Sequence, residues 1–319
     1  MKKYDIVEYT EDLRESWEEF LLTANNSTMF HSQRFFDYHP EGRFDFHHLL
    51  FYDGNRIVGL LPGAIRDDCF ISSSGASYGG FVLPVDSGIS QTHRIVDTFL
   101  DWATKNRLKG FRLTPPPVLY SRLPQEHVEF VLLKKGFEVE KSELTSIVHF
   151  QSSIKENFSL FKQTARTSTR KAEKKGVTVS FTDDYEGFYH ILEKNLAMRH
   201  NVSPTHTIDE LLRLKELMPE NIFQISAFSE DTMVAGVTVF VTNPRSILAF
   251  YISHLADYQE FRPLNLLFYK LIEWGIEYSY HLLDVCTDTL DMEPNFGLAR
   301  FKEGFGARGN LRTTWRINL

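Results

Sequence analysis

Glu230-Asp231-Thr232-Met233-Val234-Ala235-Gly236-Val237-Thr238-Val239-Phe240-Val241 has an earlier echo in Asp53-Gly54-Asn55-Arg56-Ile57-Val58-Gly59-Leu60-Leu61. In both stretches a short polar turn feeds apolar strand material, the sign of a hairpin's second arm. Downstream of each lies an amphipathic helix with an acid-Trp pair, Phe99-Leu100-Asp101-Trp102-Ala103 and Leu271-Ile272-Glu273-Trp274-Gly275. A strand follows, Gly110-Phe111-Arg112-Leu113-Thr114 or Leu282-Leu283-Asp284-Val285-Cys286, and each series closes on a similar tetrad, Lys134-Lys135-Gly136-Phe137 or Lys302-Glu303-Gly304-Phe305. Four matches in one order predict a duplicated α/β (α+β) unit, each copy a mixed sheet flanked by helices. The expected domains are 1–150 and 151–319. The strand Ser146-Ile147-Val148-His149-Phe150 ends at that boundary, and Ser153 with Glu156 has capping-box spacing for a new helix.

A length of 319 residues suits two such domains, and 27 Phe with 13 Tyr favour aromatic, sheet-rich cores. The formal charge of −7 repels nucleic acid at long range, so a polyanion would have to use a local basic patch. Cys69 and Cys286 are too few and too far apart for a disulfide framework or a metal cluster. His47 and His48 point to opposite faces of a strand, and His200 and His206 lack a partner at ligand spacing, so no metal is expected. The N-terminus has no apolar signal-like run, and no stretch approaches the ~18–20 apolar residues of a membrane span. The cytoplasm is the expected location.

Ser159 to Lys175 reads as one helix stopping at Gly176. On it Lys162, Arg166, Arg170 and Lys174 recur every four residues and form a single cationic ridge, widened by Lys171 and Lys175. Two readings stand: a solvated face balanced by acidic neighbours, or a site for the phosphates of tRNA, a nucleotide-linked sugar or CoA.

Chemistry is expected between Ala249 and Phe305. Ala249-Phe250-Tyr251-Ile252-Ser253-His254 reads as a buried strand, followed by a polar loop, Asp257-Tyr258-Gln259-Glu260-Phe261-Arg262-Pro263, and a long helix from Leu264-Asn265. The run Gly297-Leu298-Ala299-Arg300-Phe301-Lys302-Glu303-Gly304-Phe305-Gly306 resembles the G-x-x-R-F-K-x-x-F-G ending of the FemAB family and its BioF-like acetyltransferase relatives. Ser27-Thr28-Met29-Phe30-His31-Ser32, Tyr78-Gly79-Gly80 and Arg170-Lys171-Ala172-Glu173-Lys174-Lys175-Gly176-Val177 resemble further pieces of that family. The resemblance covers nearly the whole chain.

It implies two tandem GNAT-like acyl-CoA N-acyltransferase domains and transfer of an aminoacyl or acyl group to an amine. The donor would be aminoacyl-tRNA or acetyl-CoA (acyl-CoA), and the acceptor an amine on a cell-wall precursor, sugar or lipid. By the same resemblance Phe301 and Lys302 lie near the acyl donor, and Arg199 near a nucleotide-linked acceptor. Acetyl-CoA-binding GNAT turns carry Gln/Arg-x-x-Gly-x-Gly/Ala; here Arg262-Pro263-Leu264-Asn265-Leu266 keeps the Arg but not the glycines, and Asn265 narrows the room for a pyrophosphate. A Lys also stands in the family where this chain has His39.

The expected roles are Lys302 for oxyanion charge or a donor phosphate, against a plain helix-end cation. Asp284 or Tyr251 would handle protons, against a strand-end cap and a core phenol. Arg262, with Arg166, Arg170 and Lys174 of the ridge, would contact donor phosphates, and Asn265 is placed among the substrate-binding residues. An acetyl-CoA-dependent N-acetyltransferase and a non-catalytic ligand-binding protein of the same fold are the alternatives. No nucleophile elbow is present, which suits direct attack by the acceptor amine.

Overall fold

The computed structural model describes residues 3–200 and 203–319, the side chains of 198–200 excepted. The chain divides into two compact units, Met1–Glu143 with Leu311–Leu319, and Leu144–Asn310. This differs from the expected 1–150 and 151–319 at both ends of the second unit. The strand Glu138–His149 runs through the expected boundary, and its last residues pair with Leu282–Thr287 from Leu282↔His149 to Thr287↔Thr145. At the other end, the strand Arg308–Asn318 pairs antiparallel with Gly110–Leu113, from Trp315↔Leu113 to Asn318↔Gly110. A bond between Thr114 Oγ1 and Thr314 Oγ1 at 2.9 Å secures it. Strand pairing between residues so distant in sequence leaves no mark on local pattern, so a linear reading places the last strand in the wrong unit.

The repeated order itself is present. In the first unit the hairpin Leu49–Asp53/Arg56–Leu61 turns at the left-handed Gly54, and is followed by helix Ile89–Lys105, strand Gly110–Leu113 and helix His127–Lys134. Its core stacks Phe70, Phe81, Phe99 and Phe111, all essentially inaccessible to water, with Phe99 and Phe111 centroids 4.3 Å apart. That is where the aromatic surplus of the sequence goes. The loop after Ile71 is drawn tight around Ser72, whose hydroxyl donates to Pro62 O and accepts from Gly80 N–H. A Cβ added at Gly79 would stand 2.0 Å from the Ser72 carbonyl oxygen, a backbone atom. Gly79→Ala is therefore expected to lower stability by about 1–3 kcal/mol, read as a reduced urea midpoint.

The second unit opens with helices Ile154–Leu160 (α1) and Gln163–Lys174 (α2), then strand Val177–Thr182 (β1) and helices Tyr185–His200 (α3) and Ile208–Leu217 (α4). Ser153 caps α1, accepting from Glu156 N–H. Strands Ile222–Ser229 (β2), Thr232–Asn243 (β3) and Ser246–His254 (β4) continue β1 as an antiparallel meander. Helix Pro263–Glu277 (α5) carries the chain across to strand Leu282–Thr287 (β5), parallel to β4, and helix Phe296–Glu303 (α6) follows.

The single helix expected from Ser159 to Lys175 is two. Phe161 and Lys162 are extended, with ψ of 141° and 150°, and the Lys162 N–H bonds Gly304 O. The break lets Phe161 turn inward between the rings of Phe158 and Phe305, at 5.2 and 5.3 Å, where it is 2% exposed. Burying one Phe outweighs one turn of helix.

Among the described residues no helix is long and apolar enough to cross a membrane, and no group of three or more His, Cys, Asp or Glu is placed to hold a metal ion.

Candidate functional site

β4 and β5 pair only over Ser246–Leu248 and Leu282–Asp284 and then separate. The cause lies in β5. The Asp284 carboxylate, fully buried, takes the Cys286 N–H at 2.8 Å, and Cys286 adopts a left-handed φ of 63°. Pairing with the 144–149 segment breaks register between Asp284 and Thr287, so β5 carries a bulge that bends it away from β4. Into the gap opens a pocket of about 520 Å³. The first turn of α5, the β4 residues Ile252 and His254, Val285 of β5 and the α6 residues Phe301 and Lys302 line it. Ile252 and His254 are alternate residues and so share one face of the strand.

Lys302 holds the bulge from the other side. Its ammonium donates to Cys286 O at 2.9 Å and Thr287 O at 2.8 Å, and pairs with Asp288 Oδ1 at 3.0 Å. Both side chains of that pair are almost wholly buried, and Asp288 accepts a further bond from the Ser146 hydroxyl at 2.5 Å. Two of the three ammonium hydrogens thus go to carbonyls, and Asp288 Oδ1 faces the same charge as an ion pair. The oxyanion or phosphate role expected for Lys302 thus meets a side chain with two donors committed to backbone carbonyls. Its place is on the pocket wall, but its bonds pin α6 to the bend of β5.

The proton handlers expected from sequence lie elsewhere. Asp284 does not line the pocket; besides Cys286 N–H it accepts from Thr145 Oγ1 at 2.6 Å. Tyr251 is buried on the other face of β4, its hydroxyl accepting from His206 N–H at 2.9 Å and bonded to His206 Nδ1 at 2.8 Å. Burial pushes its phenol up to about 12. Both side chains serve the packing of the unit.

The expected donor contacts divide. Arg262, Asn265, Phe301 and Lys302 converge on the pocket. Arg262 is exposed and left-handed, φ 59°, directly before the first helical residue Pro263. Asn265 is 9% exposed, and its side-chain amide faces the pocket with no partner among the described residues. Phe301 packs on Phe268 and Phe305 and lines the cavity.

The basic ridge is largely engaged within the unit. Lys162 pairs with Glu303 at 2.7 Å, and Arg166 donates to Ser159 O and Phe161 O, carbonyls left over at the end of α1. The Arg170 guanidinium sits 5.5 Å from the Phe158 ring, and Lys174 is exposed. The helix still borders the site: Thr169 of α2 donates to Asn265 O at 3.4 Å, and Lys175 lies over the Phe261 ring. Arg199 lies near the end of α3, with its side chain outside the described residues.

Sequence reading passed over three residues on the wall, Asn195, His254 and Gln259. Asn195 arrives from α3 and donates to Ser253 Oγ at 3.0 Å, a contact across the fold that no local pattern announces. His254 was legible as the last residue of an apolar strand opposite a polar loop. Gln259 lies three residues before the left-handed Arg262, the spacing of the Gln/Arg-x-x-Gly signature, with an Arg where the glycine would be.

Residues 159–303 match the family model described as an acetyltransferase (GNAT) domain. The crystal structure of FemX is similar over 99% of this chain and 97% of that one, with a TM-score of 0.74 at 12% identity. The C-terminal domain of a putative lysylphosphatidylglycerol synthetase from Agrobacterium fabrum is similar over 97% and 92%, with a TM-score of 0.60 at 11% identity. A tandem GNAT protein from the clavulanic acid biosynthesis pathway is similar over 99% and 98%, with a TM-score of 0.56 at 11% identity. No curated protein matches the sequence. The fold is thus the tandem GNAT fold, and the match to the acetyltransferase (GNAT) domain model lies within the second unit.

Proposed function

Starting from a tandem GNAT fold whose second unit resembles the acetyltransferase (GNAT) domain model, we propose that this protein transfers an aminoacyl or acyl group from a phosphate-bearing donor to an amine. The observation that carries the reading is the opening between β4 and β5, where the first turn of α5 meets a lined cavity large enough for an acyl ester. The donor's carbonyl would lie in the gap, and its phosphates at Arg262, with α2 alongside. Attack by the amine on a bound ester or thioester needs no covalent enzyme intermediate, in keeping with a wall that presents no Ser or Cys among the described residues.

Two features favour aminoacyl-tRNA over acetyl-CoA as the donor. Pro263 brings no N–H to the first turn, and the Asn265 N–H is spent on Arg262 O, so this turn offers a pyrophosphate fewer amides than a glycine-rich loop does. The structural neighbour titled as a putative lysylphosphatidylglycerol synthetase also suggests aminoacyl transfer. The acceptor, on this reading, is an amine carried by a cell-wall precursor, sugar or lipid.

Thermal shift separates the donors. Stabilisation by alanyl-tRNA and not by acetyl-CoA is expected; stabilisation by acetyl-CoA alone makes the protein an acetyl-CoA-dependent N-acetyltransferase. Binding of either without any turnover makes it a ligand-binding protein of the same fold. Arg262→Ala is expected to weaken donor binding about tenfold, from loss of one charge-assisted phosphate contact.

A further inference from the structure

The strands of the second unit stand in the order β5-β4-β3-β2-β1, which makes β1 an edge strand. It pairs with β2 without a break from Val177↔Ser229 to Thr182↔Gln224, and among the described residues no strand pairs with its other side. Edge strands are commonly blunted by a charge, a proline, a bulge or extreme shortness. Val177-Thr178-Val179-Ser180-Phe181-Thr182 carries none of these over its six residues, and five of them are Val, Thr or Phe, the types that favour strands. Thr178, Ser180 and Phe181 are exposed.

Charge appears only where the strand stops. Lys174 and Lys175 precede it, and Asp183 and Asp184 follow it. Lys174 and Asp183 are exposed and form no ion pair among the described residues. An antiparallel neighbour of the same sequence reverses this order and brings its aspartates beside the lysines.

We propose that β1 pairs antiparallel with β1 of a second copy of this chain, about a twofold axis through Val179. In that register Val179 meets its own counterpart, Val177 meets Phe181, and Thr178 meets Ser180. Lys174 and Lys175 of each copy lie beside Asp183 and Asp184 of the other. Such an axis keeps the same sheet face upward in both copies. Val177, Val179 and Phe181 alternate on the face covered by α5, where Val177 is buried and Phe181 packs on Trp274 at 5.1 Å. Thr178 and Ser180 share the opposite face. One register therefore joins apolar residues on one face, hydroxyls on the other, and opposite charges at both ends. A register centred on Ser180 would set Val177 against Asp183, and one centred on Thr178 would set Lys175 against Phe181. Phe181 is 42% exposed in the single chain, and Val177 across the axis would cover part of it. The opening between β4 and β5 lies beyond β2 and β3, so the pairing leaves that pocket accessible.

Sedimentation velocity on the full chain at about 1–200 µM spans the range expected for so small an interface. Wild type should move toward twice the monomer mass as concentration rises. Thr178→Lys with Ser180→Lys sets like charges opposite each other twice and should weaken the dimer about tenfold or more. Thr178→Glu with Ser180→Glu should do the same alone, and an equimolar mixture of the two double variants should restore dimers holding one copy of each. Far-UV circular dichroism of both should match wild type, because the substituted positions are exposed. Asp183→Lys leaves the strand itself unaltered and should weaken the dimer about fivefold. A wild type that sediments as a monomer throughout would overturn the pairing and leave the edge to a strand of another protein. A wild-type dimer indifferent to these variants, or a mixture that fails to associate, would overturn it equally.

Discussion

Lys302→Met is expected to destabilise the protein by about 3–5 kcal/mol, because it strands a buried carboxylate and two carbonyls at once. Asp288 is 4% exposed and would lose the only cation paired with it among the described residues, while Cys286 O and Thr287 O would lose their donor. The loss should appear as a lower urea midpoint, with transfer activity falling alongside because α6 no longer holds the bend of β5. Adding Asp288→Asn should recover part of the stability, since the uncompensated charge is then gone, though not the activity. A single variant that loses less than about 1 kcal/mol would show that the buried pair is not what fixes this corner.

Acid should weaken the first unit well before its carboxylates are protonated. His31 and His48 are both buried there, and desolvation holds their rings down at about 4 and about 3. The geometry agrees, since each Nδ1 accepts a backbone N–H, from Thr28 at 2.9 Å and from Gly63 at 3.1 Å. A proton placed on either nitrogen would face a donor. The unfolded chain binds that proton from about pH 6.5 downward while the folded chain refuses it, so stability is complete above pH 6.5 and is lost as pH falls toward 4 and 3. Each ring costs about 1.4 kcal/mol per pH unit across its window, or about 4 kcal/mol for the two between pH 7 and pH 5. Urea denaturation at the two pH values reads this directly. His48→Asn keeps an acceptor for Gly63 without the titration and should remove about half of the loss. A stability unchanged between pH 7 and pH 5 would contradict the neutral, buried assignment.

The parts of the fold that were legible in the sequence are the parts set by local pattern. Hairpin, helix, strand and closing helix recur because turn residues and hydrophobic period announce them within a few residues, and the structure keeps that order in both units. The pocket wall was half legible. Arg262, Asn265, Phe301 and Lys302 were singled out through a motif, and they do come together. Their roles were harder to read, because those depend on partners remote in sequence. Nothing near Lys302 shows that its ammonium meets the carbonyls of a bulge 15 and 16 residues upstream. Nor does the segment around Tyr251 show that its hydroxyl belongs to His206. The ridge spacing on α2 was right for Arg166, Arg170 and Lys174, yet Lys162 fell outside the helix because burying Phe161 broke it. His254 was quoted at its strand end without a place in the site, since only the parting of β4 and β5 sets that strand end beside a cavity.

Hydrogen–deuterium exchange with and without alanyl-tRNA, read at residues 259–266 and 285–302, tests the central claim most directly. Saturating donor should slow exchange in those two segments, with acetyl-CoA giving less protection or none. Protection absent from both segments with either donor, while other parts of the chain are protected, would contradict the assignment of this pocket as the acyl-donor site.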